Sequence, residues 1–342
     1  MRASVLLAPG KVAVEERPAP DLAADEVLVE IGAVGVCGSD VHYYEHGRIG
    51  RYVVETPLVL GHEAGGVVAV VGSQVDSLEV GQRVSVEPGV PCRSCRQCLA
   101  GRYNLCPDVR FLATPPYDGA FAELLAMPAA FVHPVPDSLS DDAAALLEPL
   151  SVGVWACRRG RVSPGREVLV TGAGPIGLVA AQAALAFGAD RVIVTDVNPH
   201  RLTLAERLGV EALDVSSTPL PEVGVEPDVL LECSGNPRAT REAVSTVAPA
   251  GHVVLVGMGG DTVELPLSHV QGRELTVTGT FRYANTWPTA IELVASGRVD
   301  LDALVTGHVG LDEVESALTA GRSDPTAVKV MVQPGESRVP SR

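Results

Sequence analysis

Basic side chains are scarce in this sequence. Lys and Arg total 26 against 42 Asp and Glu, for a net charge of −16. So acidic a chain repels phosphate backbones and anionic headgroups, which argues against nucleic acid or membrane surfaces as partners and for small molecules. Long apolar runs are missing too. The N-terminus offers only Val5-Leu6-Leu7-Ala8 before Pro9, too short for a signal-peptide core. The least polar stretch, Gly174 to Ala189, carries Pro175, Gly177 and Gln182 and reads as a buried helix, not a membrane span. Cysteines number seven, an odd count without a secretion signal, which argues against a disulfide framework. A cytoplasmic protein is expected.

The 342 residues exceed one ordinary core and predict two domains. Gly (35) and Pro (26) are scattered, which implies many short turns between strands and no long linker. From residue 1 to about 149, short strand-like runs (Val27 to Ile31, Gly66 to Val71, Arg83 to Glu87) alternate with Gly and Pro and predict a mostly β domain. From about 150 to 286 strands alternate with helices. Strands are expected at Val168 to Thr171, Arg191 to Thr195, Asp228 to Glu232, His252 to Val256 and Leu275 to Thr278, with helices at Ile176 to Phe187 and Pro199 to Leu208. That alternation predicts an α/β fold with a doubly wound parallel sheet. Residues 287–342 add a helix at Trp287 to Ser296 and a strand at Val328 to Val332, and are grouped with the first domain.

Gly172-Ala173-Gly174-Pro175-Ile176-Gly177 fits G-x-G-x-x-G, following an expected strand and opening an expected helix. In that context Gly172 permits a tight turn, Gly174 lets backbone approach a pyrophosphate, and Gly177 lets helix pack on sheet. The helix N-terminus offers unpaired N–H groups to phosphate. Asp196 lies nineteen residues after Gly177, where a carboxylate accepts from ribose hydroxyls and repels a 2′-phosphate. NAD is therefore expected over NADP, with Arg201 the counter-argument.

Cys92, Cys95, Cys98 and Cys106 lie within one short loop. Four thiolates can close a tetrahedral zinc with no open position, which is a structural site. An iron–sulfur cluster uses the same ligands. A nucleic-acid-binding zinc ribbon fits poorly with the acidic charge and with only Arg93, Arg96 and Arg102 nearby. A second set, Cys37 in Cys-Gly-Ser-Asp and His62-Glu63 after Gly61, offers thiolate, imidazole and carboxylate, a mixture that suits zinc and leaves a position open. Cys157 and Cys233 read as small core residues.

These segments, in this order, resemble the zinc-dependent medium-chain dehydrogenases, and within them the sorbitol (polyol) dehydrogenases. The stretches that carry the resemblance are VCGSDVHYYEHGRIG (Val36 to Gly50), LGHEA (Leu60 to Ala64), GRYNL (Gly101 to Leu105), ATPP (Ala113 to Pro116), LEPLSVG (Leu147 to Gly153) and FRYANTWP (Phe281 to Pro288). The resemblance implies a GroES-like catalytic domain (1–149 and 287–342) and a Rossmann domain (150–286). It implies catalytic zinc on Cys37, His62 and Glu63, with Glu148 beside the metal, and a proton path from Ser39 to His42. Asp40 would orient a ligating histidine. Cofactor contacts are implied at Gly172, Gly174, Pro175, Ile176, Gly177, Asp196, Arg201, Val256, Gly257, Met258, Phe281 and Arg282. Tyr43, Phe111, Arg282 and Tyr283 would line the substrate cleft. The expected protein is a homotetramer with two zinc ions per chain that oxidises a polyol with NAD. Full retention of the four cysteines resembles the microbial branch. Another secondary alcohol, such as L-threonine or butane-2,3-diol, is the enzymatic alternative; a non-catalytic zinc- and nucleotide-binding protein is the other.

Overall fold

The computed structural model describes residues 1–335. It divides into two compact units, Met1–Glu148 together with the chain from Val305, and Pro149–Leu304.

The first unit is built on the ten-residue strand Glu26–Gly35, whose Val27, Val29 and Ile31 alternate into the core. One edge pairs antiparallel with Glu63–Val71, and the other with Leu124–Pro128 and then Lys329–Val332. Arg83–Val86, Val132–Pro134 and Val305–Val309 extend this to a seven-stranded sheet. Val5, Leu6, Leu60, Phe121 and Val332 belong to the unit's core, all essentially unexposed. Each large side chain of this kind contributes about 1.5–3 kcal/mol on burial. The mostly β character follows from the alternating apolar runs. The helices Gly38–His46 and Val314–Ser323 were not marked by periodicity.

The second unit carries six parallel strands in the order Glu211–Asp214, Arg191–Asp196, Glu167–Thr171, Val229–Glu232, His252–Leu255 and Thr276–Gly279. Val168, Leu169 and Val170 are all buried, as expected of a parallel strand covered on both faces. The helices Pro175–Ala186 and Pro199–Arg207 lie where the sequence placed them. The fold is thus α/β, with a Rossmann-type sheet in the second unit and a mostly β first unit.

The two unit boundaries have different causes. The first falls inside the helix Asp141–Gly160, between Glu148 and Pro149. Proline has no N–H, so the helical bond to the Ala145 carbonyl is missing there. The second lies at Leu304, not 286, so the helix Trp287–Ala295 packs with the second unit. Non-local side-chain contacts hold it. Gln182 donates to the Asp300 carbonyl (3.1 Å) and accepts from its N–H (2.8 Å), while Arg158 reaches the Asn285 carbonyl and Thr289. No helix among the described residues is long and apolar enough to cross a membrane.

Candidate active site

Cys37 lies two residues beyond the first unit's central strand and caps the helix Gly38–His46. Asp40 fixes this start. Its Oδ2 accepts from the Cys37 N–H at 3.0 Å, and its Oδ1 accepts from the Gly61 N–H at 3.0 Å. Oδ1 also stands 3.6 Å from His62 Nδ1. One wholly buried carboxylate therefore registers two segments twenty-odd residues apart. Glu63 opens the strand Glu63–Val71 and is unexposed. Ligand atoms of Cys37, His62 and Glu63 all lie within 4.8 Å of one another.

Lys329, which sequence reasoning missed, sits on the last strand against this cluster. Its Nζ donates to Glu63 Oε1 (3.0 Å), Glu63 Oε2 (2.8 Å) and the Val36 carbonyl (2.9 Å). Burial disfavours its charge, but Glu63, Cys37 and then Glu148 outweigh that and hold its pKa above the ordinary lysine value. His62 behaves alike. Burial opposes the imidazolium, and Asp40 and Cys37 reverse this and raise its pKa well above normal. Both shifts arise from the negative charge gathered around these two buried groups. Glu148 is buried and belongs to this electrostatic group, though not to the three-donor set.

Ser39 and His42 lie on the helix Gly38–His46, Ser39 half-buried and His42 exposed. At a spacing of three they share a helix face. Phe111 is buried with its ring 5.6 Å from that of His62, so it stands at the metal cluster. Tyr43 is a core residue of the same unit.

The four lobe cysteines also converge, with thiol sulfurs within 4.8 Å of one another. Backbone N–H groups point at them: Cys95 N to Cys92 Sγ and Cys92 N to Cys106 Sγ at 3.3 Å, and Cys98 N to Cys95 Sγ at 3.5 Å. The N–H groups of Ser94 and Cys95 pull the Cys92 thiol down to about 6, while burial pushes Cys98 up to about 12. All seven cysteines are free of disulfides. Glu87 ties the lobe down, accepting from Tyr103 Oη (2.7 Å) and lying 2.9 Å from His133 Nε2.

In the second unit the glycine motif has the geometry its spacing predicts. Gly172 has φ +84°, in the left-handed region that favours glycine. A Cβ on Gly177 would stand 1.8 Å from the Gly172 carbonyl oxygen, whereas one on Gly174 would meet nothing within 4 Å. Space therefore opens at Gly174, beside the N–H groups of Ile176 and Gly177 in the first turn of the helix Pro175–Ala186. Asp196 lies against this turn. Its Oδ2 accepts from Ala173 N (2.7 Å) and its Oδ1 from Val197 N (2.7 Å) and Asn198 N (2.8 Å). Arg201, in the first turn of the next helix, has a buried Nε with no hydrogen-bond partner.

Val256, Gly257 and Met258 follow the strand His252–Leu255, and Met258 is 67% exposed. A Cβ on Gly257 would collide with Gly235 N at 2.3 Å, so two strand-end loops run back to back. Glu232, also missed, knits them. Unexposed, it accepts from Thr171 Oγ1 (3.1 Å), Ser234 N (3.0 Å), Ser234 Oγ and Gly235 N (3.1 Å). Its only sequence signal was an acid at the end of an apolar strand. Phe281 is exposed with the Arg282 guanidinium over its ring, and Tyr283 is buried against Trp287. Cys157 is wholly buried and Cys233 half-buried, and burial raises both thiols.

Comparison with known proteins agrees with these features. The family described as alcohol dehydrogenase GroES-like domain matches residues 23–137, and the zinc-binding dehydrogenase family matches residues 175–296. A sorbitol dehydrogenase of Bacillus subtilis (strain 168) is 46% identical over 346 residues, covering 98% of this chain and 97% of that one. Two solved structures share the fold across 97% of this chain and 99% of theirs. The alcohol dehydrogenase rspB from E. coli CFT073, in complex with NADH, has a TM-score of 0.91 at 31% identity. A zinc-binding dehydrogenase from Sinorhizobium meliloti 1021, bound to NADP, has a TM-score of 0.90 at 30% identity.

Proposed function

Because the chain belongs to the zinc-dependent medium-chain dehydrogenases and is sorbitol dehydrogenase-like, we propose that it oxidises a secondary hydroxyl of a polyol to the ketose and delivers the hydride to NAD. The observation that carries the reading is the convergence of one thiolate, one imidazole and one carboxylate, three donors within 4.8 Å. That set fits zinc in type and number and stops one short of a closed tetrahedron, whereas the four-thiol lobe is complete. Cys37, His62 and Glu63 would hold the first ion, and Cys92, Cys95, Cys98 and Cys106 the second. When bound, zinc supplies a Lewis acid that favours ionisation of a hydroxyl, and NAD supplies the hydride acceptor.

The chain's own residues supply the rest. Asp40 keeps the His62 ring oriented. Ser39 Oγ would accept the hydroxyl proton as it releases its own toward the exposed His42 and solvent. Glu148 adds negative charge beside the cluster. Phe111 presents an apolar wall next to His62, and Tyr43, Arg282 and Tyr283 complete the assigned substrate residues. The open space at Gly174 and the unpartnered Arg201 Nε fit a dinucleotide. NAD-bound and NADP-bound proteins both share this fold, so the fold does not choose between them. Asp196 supports the choice of NAD, because its carboxylate, fixed by three backbone N–H groups at the glycine turn, would accept from ribose hydroxyls and repel a 2′-phosphate. A cytoplasmic homotetramer belongs to the same reading.

The polyol part rests on similarity, and one experiment tests it. Initial rates on xylitol, sorbitol and L-arabinitol, beside L-threonine and butane-2,3-diol, are measured with NAD and with NADP, and zinc is quantified on the same sample. Polyol oxidation with NAD and two zinc ions per chain is the expected result. Preference for threonine or butanediol would redirect the substrate, and one zinc without turnover would favour the non-catalytic alternative.

A further inference from the structure

Lys329 is the buried charge that the mechanism above leaves without a task. It is 3% exposed, and lysine is almost never buried without a partner. Its three donors are all directed: two to Glu63 and one to the carbonyl of Val36, the residue before Cys37. The ammonium therefore bridges the two segments that supply metal ligands. In an ordinary buried pair the carboxylate belongs to the lysine alone. Here the same carboxylate also faces the Cys37 thiol and the His62 ring. A carboxylate has about four lone-pair sites, so it can serve both cations, but charge donated to one is withheld from the other.

Cys37 and Glu63 bring two negative charges to the metal position, and Lys329 returns one positive charge. We propose that Lys329 is a positioning residue that shares Glu63 with the catalytic zinc and so keeps that position electron-poor, at some expense in metal affinity. The proposal rests on the reading of Cys37, His62 and Glu63 as a zinc site. It separates cleanly from a purely structural role, because the two predict opposite signs. If the pair only braces the fold, removing Lys329 loosens the site and zinc leaves faster. If Lys329 withholds charge, removing it turns all of Glu63 toward the metal, and zinc leaves more slowly.

The test uses zinc-loaded protein and a chromophoric chelator. Cys37→Ser identifies which phase of zinc release belongs to the catalytic site. Lys329→Met and Lys329→Gln are then compared with the wild type and with the charge-retaining Lys329→Arg. The expected result is release slowed by about tenfold or more in the two neutral variants, with Lys329→Arg close to wild type. The acid limb of the kcat/KM profile should move about one pH unit toward alkali in the same two variants, because losing a nearby positive charge disfavours an anionic oxygen. Unchanged or faster release overturns the proposal. So does failure of both neutral variants to fold with zinc bound, which would confine the pair to stability. If Cys37→Ser removes no zinc at all, the metal reading itself fails and takes the proposal with it.

Discussion

Gly35 and Glu63 are partners across an antiparallel strand pair, and a Cβ on Gly35 would stand 2.0 Å from Glu63 Oε2. The glycine is needed because the carboxylate lies flat across it. Lys329 Nζ holds both oxygens of that carboxylate, and the same Cβ would also stand 3.1 Å from Leu146 Cδ2, so the added methyl meets close neighbours in two directions. Gly35→Ala should therefore displace the carboxylate and cost about 1–3 kcal/mol by overpacking. Zinc analysis should find the Cys37 site depleted and the four-cysteine lobe still filled. A variant with full zinc and wild-type rates would contradict this placement of Glu63.

Asp196 gives a prediction of cofactor choice. Its carboxylate is locked by the N–H groups of Ala173, Val197 and Asn198, so it cannot turn away from an added phosphate. Asp196→Ser should raise the ratio of kcat/KM for NADP over NAD by about tenfold or more, equivalent to ~1.4 kcal/mol. Parallel initial-rate measurements with the two cofactors decide it. An unchanged ratio would mean that some other group rejects the phosphate.

The difference between what the sequence revealed and what it hid follows from distance along the chain. The Gly172 to Gly177 turn and the four lobe cysteines are local patterns whose spacing has a direct geometric meaning, and both assemble as expected. The Cys37 and His62-Glu63 segments are joined in part by Asp40, a residue already close to Cys37 in the sequence motif. Lys329 is different, since it meets Glu63 from 266 residues away and its own strand reads as ordinary. Glu232 likewise looked like the end of an apolar run, and its role depends on Thr171, 61 residues earlier. The second unit boundary was misread for the same reason. The Gln182 to Asp300 bridge that holds the chain after Trp287 in the second unit leaves no periodic trace. The Asp141–Gly160 helix was hidden by Pro149 at its middle.

Tyr44 predicts a loss of stability in alkali. Its hydroxyl donates to Glu315 Oε1 at 2.6 Å, and that bond, with burial and the nearby negative charge, pushes its pKa from 10 up to about 12. The folded state then holds the proton more tightly than the unfolded chain. The contribution is full below pH 10 and is lost as pH climbs toward 12. Urea melts of the wild type and Tyr44→Phe should differ at pH 8, with the gap closing by pH 12. A gap that stays constant across that range would show that the bond to Glu315 is not the cause.

The two cysteine sets should fail in opposite ways. In the metal-free lobe Cys92, at about 6, is already a thiolate at neutral pH, while Cys98, at about 12, keeps its proton. Zinc uptake must expel that proton, so affinity at the lobe should rise at least about tenfold per pH unit between pH 7 and 9. Competition with a chelator of known affinity at several pH values measures this slope. Cys98→Ser removes a ligand from a closed site and should cost roughly 3 kcal/mol or more of stability. Turnover per folded chain should persist, because the lobe donors are not those of the Cys37 cluster. Cys37→Ser should do the reverse, abolishing turnover while the urea midpoint stays near wild type, since Asp40 still caps the helix through the residue 37 N–H. A Cys98→Ser protein that unfolds at the wild-type midpoint would remove the structural role from the lobe.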